Sequence, residues 1–395
     1  MKISESENPD RLRDKKLIAP ANFSVRDQVS DAGSPALEKF TALENATVVQ
    51  RSLEAGAVLA GRAATAEFGF GLNGDACLKN FTSQAADLAF MADLAGEPRY
   101  AAAAGGRFGF KPSHGTVSRA GLIGLMPSLE AVGLLGNHPA DVAAAMAEIA
   151  GFDGKDFSLE AEPLAGFPVR PPKTESKPVL GRPAGCEARL SPAAREIFSA
   201  GLKKLEGAGF PVREVPWPGD ETFRDLHRVI GSVEASSSCG KFDGVRYGLR
   251  ADSANNWNDM YLKTRAASFS TFLKTLLFQG AFFQFESYGT FERAARIRAR
   301  LIREIGQLFE TVDLIISPVR PETPAAESAR EVDQTYAAFS LTLPANVTGC
   351  PALAFSLSGG REASDPGLQV MGGFRSDAFL LACGKRLFET LTGGA

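Results

Sequence analysis

Ser191-Pro-Ala-Ala-Arg-Glu-Ile-Phe-Ser-Ala-Gly-Leu-Lys-Lys-Leu-Glu-Gly-Ala-Gly-Phe-Pro-Val-Arg-Glu-Val215 contains a helix start, an apolar stripe and a strand in one stretch. Ser191 is a side chain that accepts from an unpaired N–H of a first helical turn, and Pro192 brings a preset φ and no N–H to leave unsatisfied. Ile197, Phe198, Leu202 and Leu205 then share one helical face, and Phe210 to Val215 reads as the next strand. The same order recurs. Val48, Val49 and Leu53 mark a helix over Ala46 to Ala55, Gly56 ends it, and Ala57 to Ala60 reads as a buried strand. A helix over Phe291 to Phe309, with Ile297, Leu301, Ile305 and Leu308 on one face, runs into the strand Asp313-Leu-Ile-Ile-Ser317, which Pro318 ends. Ala352 to Ser356 and Leu368 to Met371, separated by the turn residues Asp365-Pro-Gly367, predict a hairpin.

Alternation continuing to the C-terminus predicts a single α/β domain over residues 21–395, preceded by a flexible arm over 1–20 whose MKISESENPDRLRDKK is polar and mixed in charge. Glu162 to Pro183, rich in Pro and Lys, reads as a connector between two halves. Residues 216–290 lack strand patterning and are expected to form a mainly helical insertion. Its Phe269, Phe272, Phe278, Phe282, Phe283 and Phe285 are assigned to core packing; a base-stacking role would need a basic groove beside them.

Composition narrows the function classes. With 395 residues, 44% hydrophobic and 23% charged, the chain has the make-up of a globular protein with a substantial core. A formal charge of -3 gives no general attraction to nucleic acid or to an acidic membrane. Cys77, Cys186, Cys239, Cys350 and Cys383 are odd in number and never spaced as CxxC, which argues against structural zinc or a disulfide framework and for a reducing compartment. No apolar run approaches the roughly 18 residues of a membrane span. A cytoplasmic protein is expected.

Four further segments carry a resemblance. Gly105-Gly-Arg-Phe-Gly-Phe-Lys-Pro-Ser-His-Gly-Thr-Val-Ser-Arg-Ala-Gly-Leu-Ile-Gly124, Ser128-Leu-Glu-Ala-Val-Gly133, Leu343-Pro-Ala-Asn-Val-Thr-Gly-Cys-Pro-Ala352 and Gly367-Leu-Gln369 together resemble the amidase signature family. Glu234-Ala-Ser-Ser237, Phe242-Asp-Gly-Val-Arg-Tyr-Gly248 and Met260-Tyr-Leu-Lys-Thr-Arg265 are similar to a stretch found in its tRNA-dependent amidotransferase members. The resemblance runs from Phe23 to the C-terminus and implies a mixed β-sheet core surrounded by helices.

For active members the resemblance implies a serine nucleophile, a second serine after a cis peptide bond, and a lysine base. Amide hydrolysis needs such a set, because a hydroxyl is a weak nucleophile until its proton is taken and the oxyanion needs fixed N–H donors. Carried onto this chain, the lysine falls on Arg26 of Ser24-Val-Arg26-Asp27, and arginine does not cycle as a base near neutral pH. The nucleophile falls on Glu97 within Leu94-Ala-Gly96-Glu97-Pro-Arg99. The Gly- and Ser-rich loop of the second serine is replaced by the shorter Leu72-Asn-Gly-Asp-Ala-Cys-Leu-Lys-Asn80. In the implied glutamine-binding pattern Phe339 replaces an acid while Arg298 keeps the base, and the N-terminal helical extension of the amidotransferase members is missing from this sequence.

These replacements predict a protein that acts by binding a second copy, a small amide or an amidotransferase-type subunit, touching nucleic acid only indirectly through a complex. The remnant cleft is assigned to Arg26, Asp93, Gly96, Glu97, Arg99, Arg298 and Phe339, with Glu97 paired to Arg26 or Arg99. The alternative is an active amidase or amidotransferase using Glu97, Asp93 or Cys77 instead. His114 is expected to pack, His138 begins a helix, and His227 lies among polar residues; none has metal-ligand spacing. Ser113, Ser118 and Ser128 read as turn and cap residues. Neither a metal nor a cofactor is expected.

Overall fold

Short apolar runs bounded by Gly, Pro and Asp are too brief for helices, and they pair into one mixed sheet. The computed structural model describes residues 11–72, 76–160, 176–322 and 331–393. Its strands are β1 Lys16–Pro20, β2 Val58–Ala63, β3 Leu88–Asp93, β4 Phe108–Lys111, β5 Ala131–Gly136, β6 Leu180–Pro183, β7 Val212–Val215, β8 Leu314–Pro318, β9 Ala352–Phe355 and β10 Leu368–Gly372, in the order β2-β1-β3-β5-β4-β9-β10-β8-β6-β7. The two ends of the sheet pair in parallel, β2-β1-β3 and β8-β6-β7, and the strands between them pair antiparallel. Central strands buried on both faces read as unbroken apolar runs, as in Leu88-Ala-Phe-Met-Ala-Asp93.

The helices are α1 Thr47–Glu54, α2 Cys77–Ser83, α3 Glu97–Gly105, α4 Pro139–Ile149, α5 Pro192–Gly207, α6 Asp220–Ser238, α7 Trp257–Ser268, α8 Thr271–Ala281, α9 Tyr288–Leu308, α10 Glu331–Ala338, α11 Leu343–Thr348 and α12 Asp377–Thr392. Alternate residues of each strand feed the two faces of the sheet: Leu314 and Ile316 join Phe90, Phe108 and Phe355 on one side, and Ile315 joins Leu343 and Phe223 on the other. Among the described residues, no helix is long and apolar enough to cross a membrane.

Local signals place the elements well. Ser191 Oγ accepts from Ala194 N at 3.2 Å to cap α5, and the β9–β10 hairpin forms with Ala352 opposite Met371. Four expectations need correction. Residues 1–10 lie outside the described residues, but the second half of the expected arm is ordered: Lys16–Pro20 is strand β1, because Leu17, Ile18 and Ala19 alternate into two buried layers. The strand after α1 is at the sheet's edge and half exposed. The expected connector lies outside the described residues over 161–175, and its end, Leu180–Pro183, is strand β6. Finally, Phe269 is buried, but Phe278, Phe282 and Phe285 are 74%, 53% and 75% exposed. The buried side of α8 is already taken by Leu273, Leu276, Leu277 and Gly280, which share one face, so Phe278 points the other way.

Candidate functional site

Strand β3 ends at Asp93, the chain turns through Leu94-Ala95-Gly96, and α3 begins at Glu97. Gly96 has φ 123°, and a Cβ there would lie 2.4 Å from Cβ and Oγ1 of Thr342, so the turn needs glycine on both counts. The turn aims three successive backbone N–H groups inward. All three reach the Glu97 carboxylate: Oε2 accepts from Leu94 N at 2.8 Å, Ala95 N at 2.8 Å and Gly96 N at 3.1 Å, while Oε1 accepts from Gly71 N at 3.0 Å. Glu97 is completely buried. Such a nest of amides at a helix start favours an anion, and the chain's own carboxyl group fills it.

Burial, and secondarily the charge of Asp93, raise the Glu97 pKa to about 7 despite the N–H donors that favour the ionised form. Between the unfolded carboxyl value and about pH 7 the native state therefore holds a proton that the unfolded chain has released, so stability falls as pH rises through this window. Comparing the protein with Glu97→Gln cancels the other titrations. The unfolding free energy of the native sequence, relative to the variant, is expected to drop by about 3 kcal/mol between pH 4.5 and 7.5. Urea titrations giving parallel pH profiles for the two would refute this.

Asp93 is occupied separately. Arg99 Nε and Nη2 donate to its two carboxylate oxygens, each at 2.9 Å. The same guanidinium donates to Asn346 Oδ1 at 2.6 Å, Thr342 O at 2.8 Å and Gln369 Oε1 at 2.5 Å. Asn346 Nδ2 returns to Asp93 Oδ1 at 2.8 Å and to Leu129 O at 3.1 Å. One buried ion pair thus ties β3 and α3 to α11 and β10.

Glu97 is consequently not half of an arginine pair, contrary to expectation. Positions 97 and 99 are about 200° apart around a helix, so one carboxylate and one guanidinium leave α3 in different directions. Arg26 is not in the cluster either: it is exposed, its Nε donates to Leu43 O at 3.2 Å, and it lines a surface depression with Glu44, Arg51 and Lys155. Arg298 supports the site from behind, donating to Val347 O at 2.8 Å, Ser128 Oγ at 2.6 Å and Ser128 O at 2.7 Å. Phe339 is buried edge-on against Tyr100 and brings no polar group.

Sequence reasoning missed several participants. His227, expected among polar residues, is fully buried: Nε2–H donates to Leu94 O at 2.8 Å and Nδ1 accepts from Tyr336 OH at 3.1 Å, while burial pushes its pKa down to about 4. Lys111 is buried at the end of β4, donates to Pro112 O at 3.0 Å and Cys350 O at 2.9 Å, and is lowered to about 8 by desolvation. Its signal was a lone lysine closing the apolar run Phe108-Gly-Phe-Lys111. Asn346 and Gln369 lie in two of the segments that carry the family resemblance, which did not reveal that they meet Arg99, and nothing local marks His227.

The candidate thiol and the hydroxyls around the site are turned away or engaged. Cys77 is buried and points to Phe90 O at 3.5 Å. Thr342 Oγ1 donates to Ala95 O and, at 2.8 Å, to Phe339 O. Ser113 is held by Asp377, through Oγ at 2.6 Å and N at 2.8 Å, and fastens the start of α12. Ser118 donates to Asp153, and Ser128 N donates to Glu234 at 2.8 Å. His114 Nε2 lies 3.0 Å from Pro127 O, and His138 precedes the first turn of α4.

Comparison with known proteins places this arrangement. The Amidase family pattern matches residues 82–381, a span holding the nest, Arg99, Arg298 and α11. The A subunit of glutamyl-tRNA(Gln) amidotransferase from Natronomonas pharaonis is 32% identical over 397 aligned positions, covering 93% of each chain. The same-named protein of Lactiplantibacillus plantarum is 29% identical over 92% of this chain and 81% of its own. Among solved structures, the corresponding protein of Thermotoga maritima superposes with a TM-score of 0.77 at 22% identity, covering 95% of this chain and 82% of that one. The peptide amidase of Stenotrophomonas maltophilia superposes with a TM-score of 0.74 at 19% identity, covering 96% and 83%. A family pattern spanning most of the chain and a relative alike along nearly all of it make this protein a member of the amidase signature family, homologous to the A subunits of glutamyl-tRNA(Gln) amidotransferase.

Proposed function

We propose that this chain is a non-catalytic member of the amidase family that acts by binding a partner or a small amide. One observation carries the reading: the Glu97 carboxylate sits on the N–H groups of Leu94, Ala95 and Gly96. Acyl transfer from an amide needs such converging donors for its developing oxyanion. Here they already hold a carboxylate supplied by the residue that, by family resemblance, stands at the nucleophile's place. Arg26, at the place of the base, is exposed and bonded to Leu43 O.

The relatives are named as subunits, which supports a protein partner, whether an amidotransferase-type subunit or a second copy. The five cysteines, all buried and none in a disulfide, support a reducing compartment, and we place the protein in the cytoplasm. The test is ammonia release from glutamine, asparagine and a panel of simple amides. No release above buffer is expected. Release that Glu97→Gln abolishes without changing Tm would establish instead an amidase using a replacement residue.

A further inference from the structure

The carbonyl groups behind the nest are held as firmly as the N–H groups in front of it. A peptide unit is planar and, when trans, sets its C=O and N–H on opposite sides, so that fixing one aims the other. The N–H groups of Leu94, Ala95 and Gly96 belong to the units whose carbonyls are Asp93 O, Leu94 O and Ala95 O. Each of these carbonyls meets a side-chain donor. Asn346 Nδ2 donates to Asp93 O at 3.1 Å, His227 Nε2–H donates to Leu94 O at 2.8 Å, and Thr342 Oγ1 donates to Ala95 O. The three donors are buried and come from two elements: His227 from α6, Asn346 from α11, and Thr342 from the residue that immediately precedes α11.

Two of these donors have other duties. Asn346 Nδ2 also serves Asp93 Oδ1 and Leu129 O, and the Thr342 hydroxyl is shared with Phe339 O. His227 is held differently. Burial keeps its ring neutral, and a neutral imidazole carries one proton, so the Tyr336 hydroxyl donating to Nδ1 at 3.1 Å leaves that proton on Nε2. The rings are also fixed in place: Phe70 stacks on His227 with centroids 6.4 Å apart and meets Tyr336 edge-on at 5.9 Å, and Gly71 beside it supplies the fourth N–H to Glu97. One line of donors therefore runs from Tyr336 O–H in α10 through His227 and the Leu94–Ala95 peptide to Glu97 Oε2, 2.8 Å from Ala95 N.

We propose that His227 is a positioning residue for the nest: held in its Nε2–H tautomer by Tyr336, it turns the Leu94–Ala95 peptide so that Ala95 N–H points at the bound anion. Asn346 and Thr342 aim the donors on either side in the same way. Glu97 thus fills a set of amides that α6, α10 and α11 hold from behind, and the same aim serves any carboxylate or oxyanion seated there. The inference goes beyond the non-catalytic reading, because it concerns what shapes the nest and not whether an amide is turned over.

NMR on the isotope-labelled full chain tests it. In the native protein the ring-nitrogen shifts of His227 are expected to show the Nε2–H tautomer; the Nδ1–H tautomer overturns the proposal, because Leu94 O would then face no donor. His227→Leu removes the donor, and His227→Gln returns an N–H of similar reach. A hydrogen bond to a carboxylate draws an amide proton downfield, so in His227→Leu the Ala95 amide proton is expected to move upfield further than those of Leu94 and Gly96, and in His227→Gln to return most of the way. Tyr336→Phe, which removes one oxygen and keeps the ring, is expected to move it in the same direction by less. A histidine that only packs would lower Tm in both His227 variants while moving the three amide protons alike or not at all, and that pattern overturns the proposal. If His227→Leu does not fold, the native tautomer and the Ala95 shift in Tyr336→Phe decide between the same outcomes. Ammonia release is measured separately, so failure of this positioning role and failure of the non-catalytic reading give different results.

Discussion

Arg99→Ala is expected to lower the unfolding free energy by about 3–5 kcal/mol, the usual cost of leaving one charge of a buried pair behind. For a chain of this length that corresponds to a Tm lower by about 5 °C. The reason is specific. Arg99 and Asp93 are both fully buried, and every other partner of the guanidinium, Thr342 O, Asn346 Oδ1 and Gln369 Oε1, is an acceptor that would lose its donor. Combining Arg99→Met with Asp93→Asn removes both charges while keeping much of the volume, and should cost clearly less than the two single losses added together. Denaturant titration of the four proteins decides this. Additive losses would mean that the pair is not a unit and that the lost packing, not the stranded charge, dominates.

Emptying the nest has the next largest effect. Glu97→Ala leaves four buried N–H groups without their acceptor, each worth about 1–3 kcal/mol when unmade, and simultaneously removes a costly buried carboxylate. The net loss is expected to be about 3 kcal/mol. It is also expected to be reversible from solution: formate is a carboxylate small enough for the vacated space, and at ten times its Kd it should restore about 1.4 kcal/mol. Formamide, which has no charge for the nest, should not. Melting curves for the native sequence should ignore formate, because the site is filled from within. A Glu97→Ala protein with unchanged Tm that is indifferent to formate would remove the nest as an anion site and, with it, the argument that its donors are unavailable to a substrate.

The two effects bear on how a site can be read. Glu97 and Arg99 are two positions apart in the sequence, and opposite charges so close in a motif invite the reading of one ion pair. But α3 carries them to different sides, and the strand end supplies Asp93 at the guanidinium first. The acceptor role of Glu97 left no trace in residue types because all its donors are backbone amides. Arg26 shows the converse. Its place in a motif is legible, while its setting depends on residues the motif does not contain: Leu43 O accepts from its Nε, and Asn45 Oδ1 accepts from its backbone N–H. The exposed phenylalanines follow the same logic: composition favours burial of Phe, yet a helix has only one buried face, and on α8 leucine and glycine hold it.

By itself the sequence determined the alternation of helix and strand, the Ser191 cap, the β9–β10 hairpin and the family, since periodicity, caps, turns and motifs are short-range properties. Only the tertiary structure decided what the site is made of. Arg99 meets Thr342, Asn346 and Gln369, which lie 243, 247 and 270 residues further along. His227 reaches Leu94 O across 133 residues. Contacts of that range are set by the order of strands in the sheet, and the nest by the direction of a turn that Gly96 alone permits; neither is written in the local pattern of side chains.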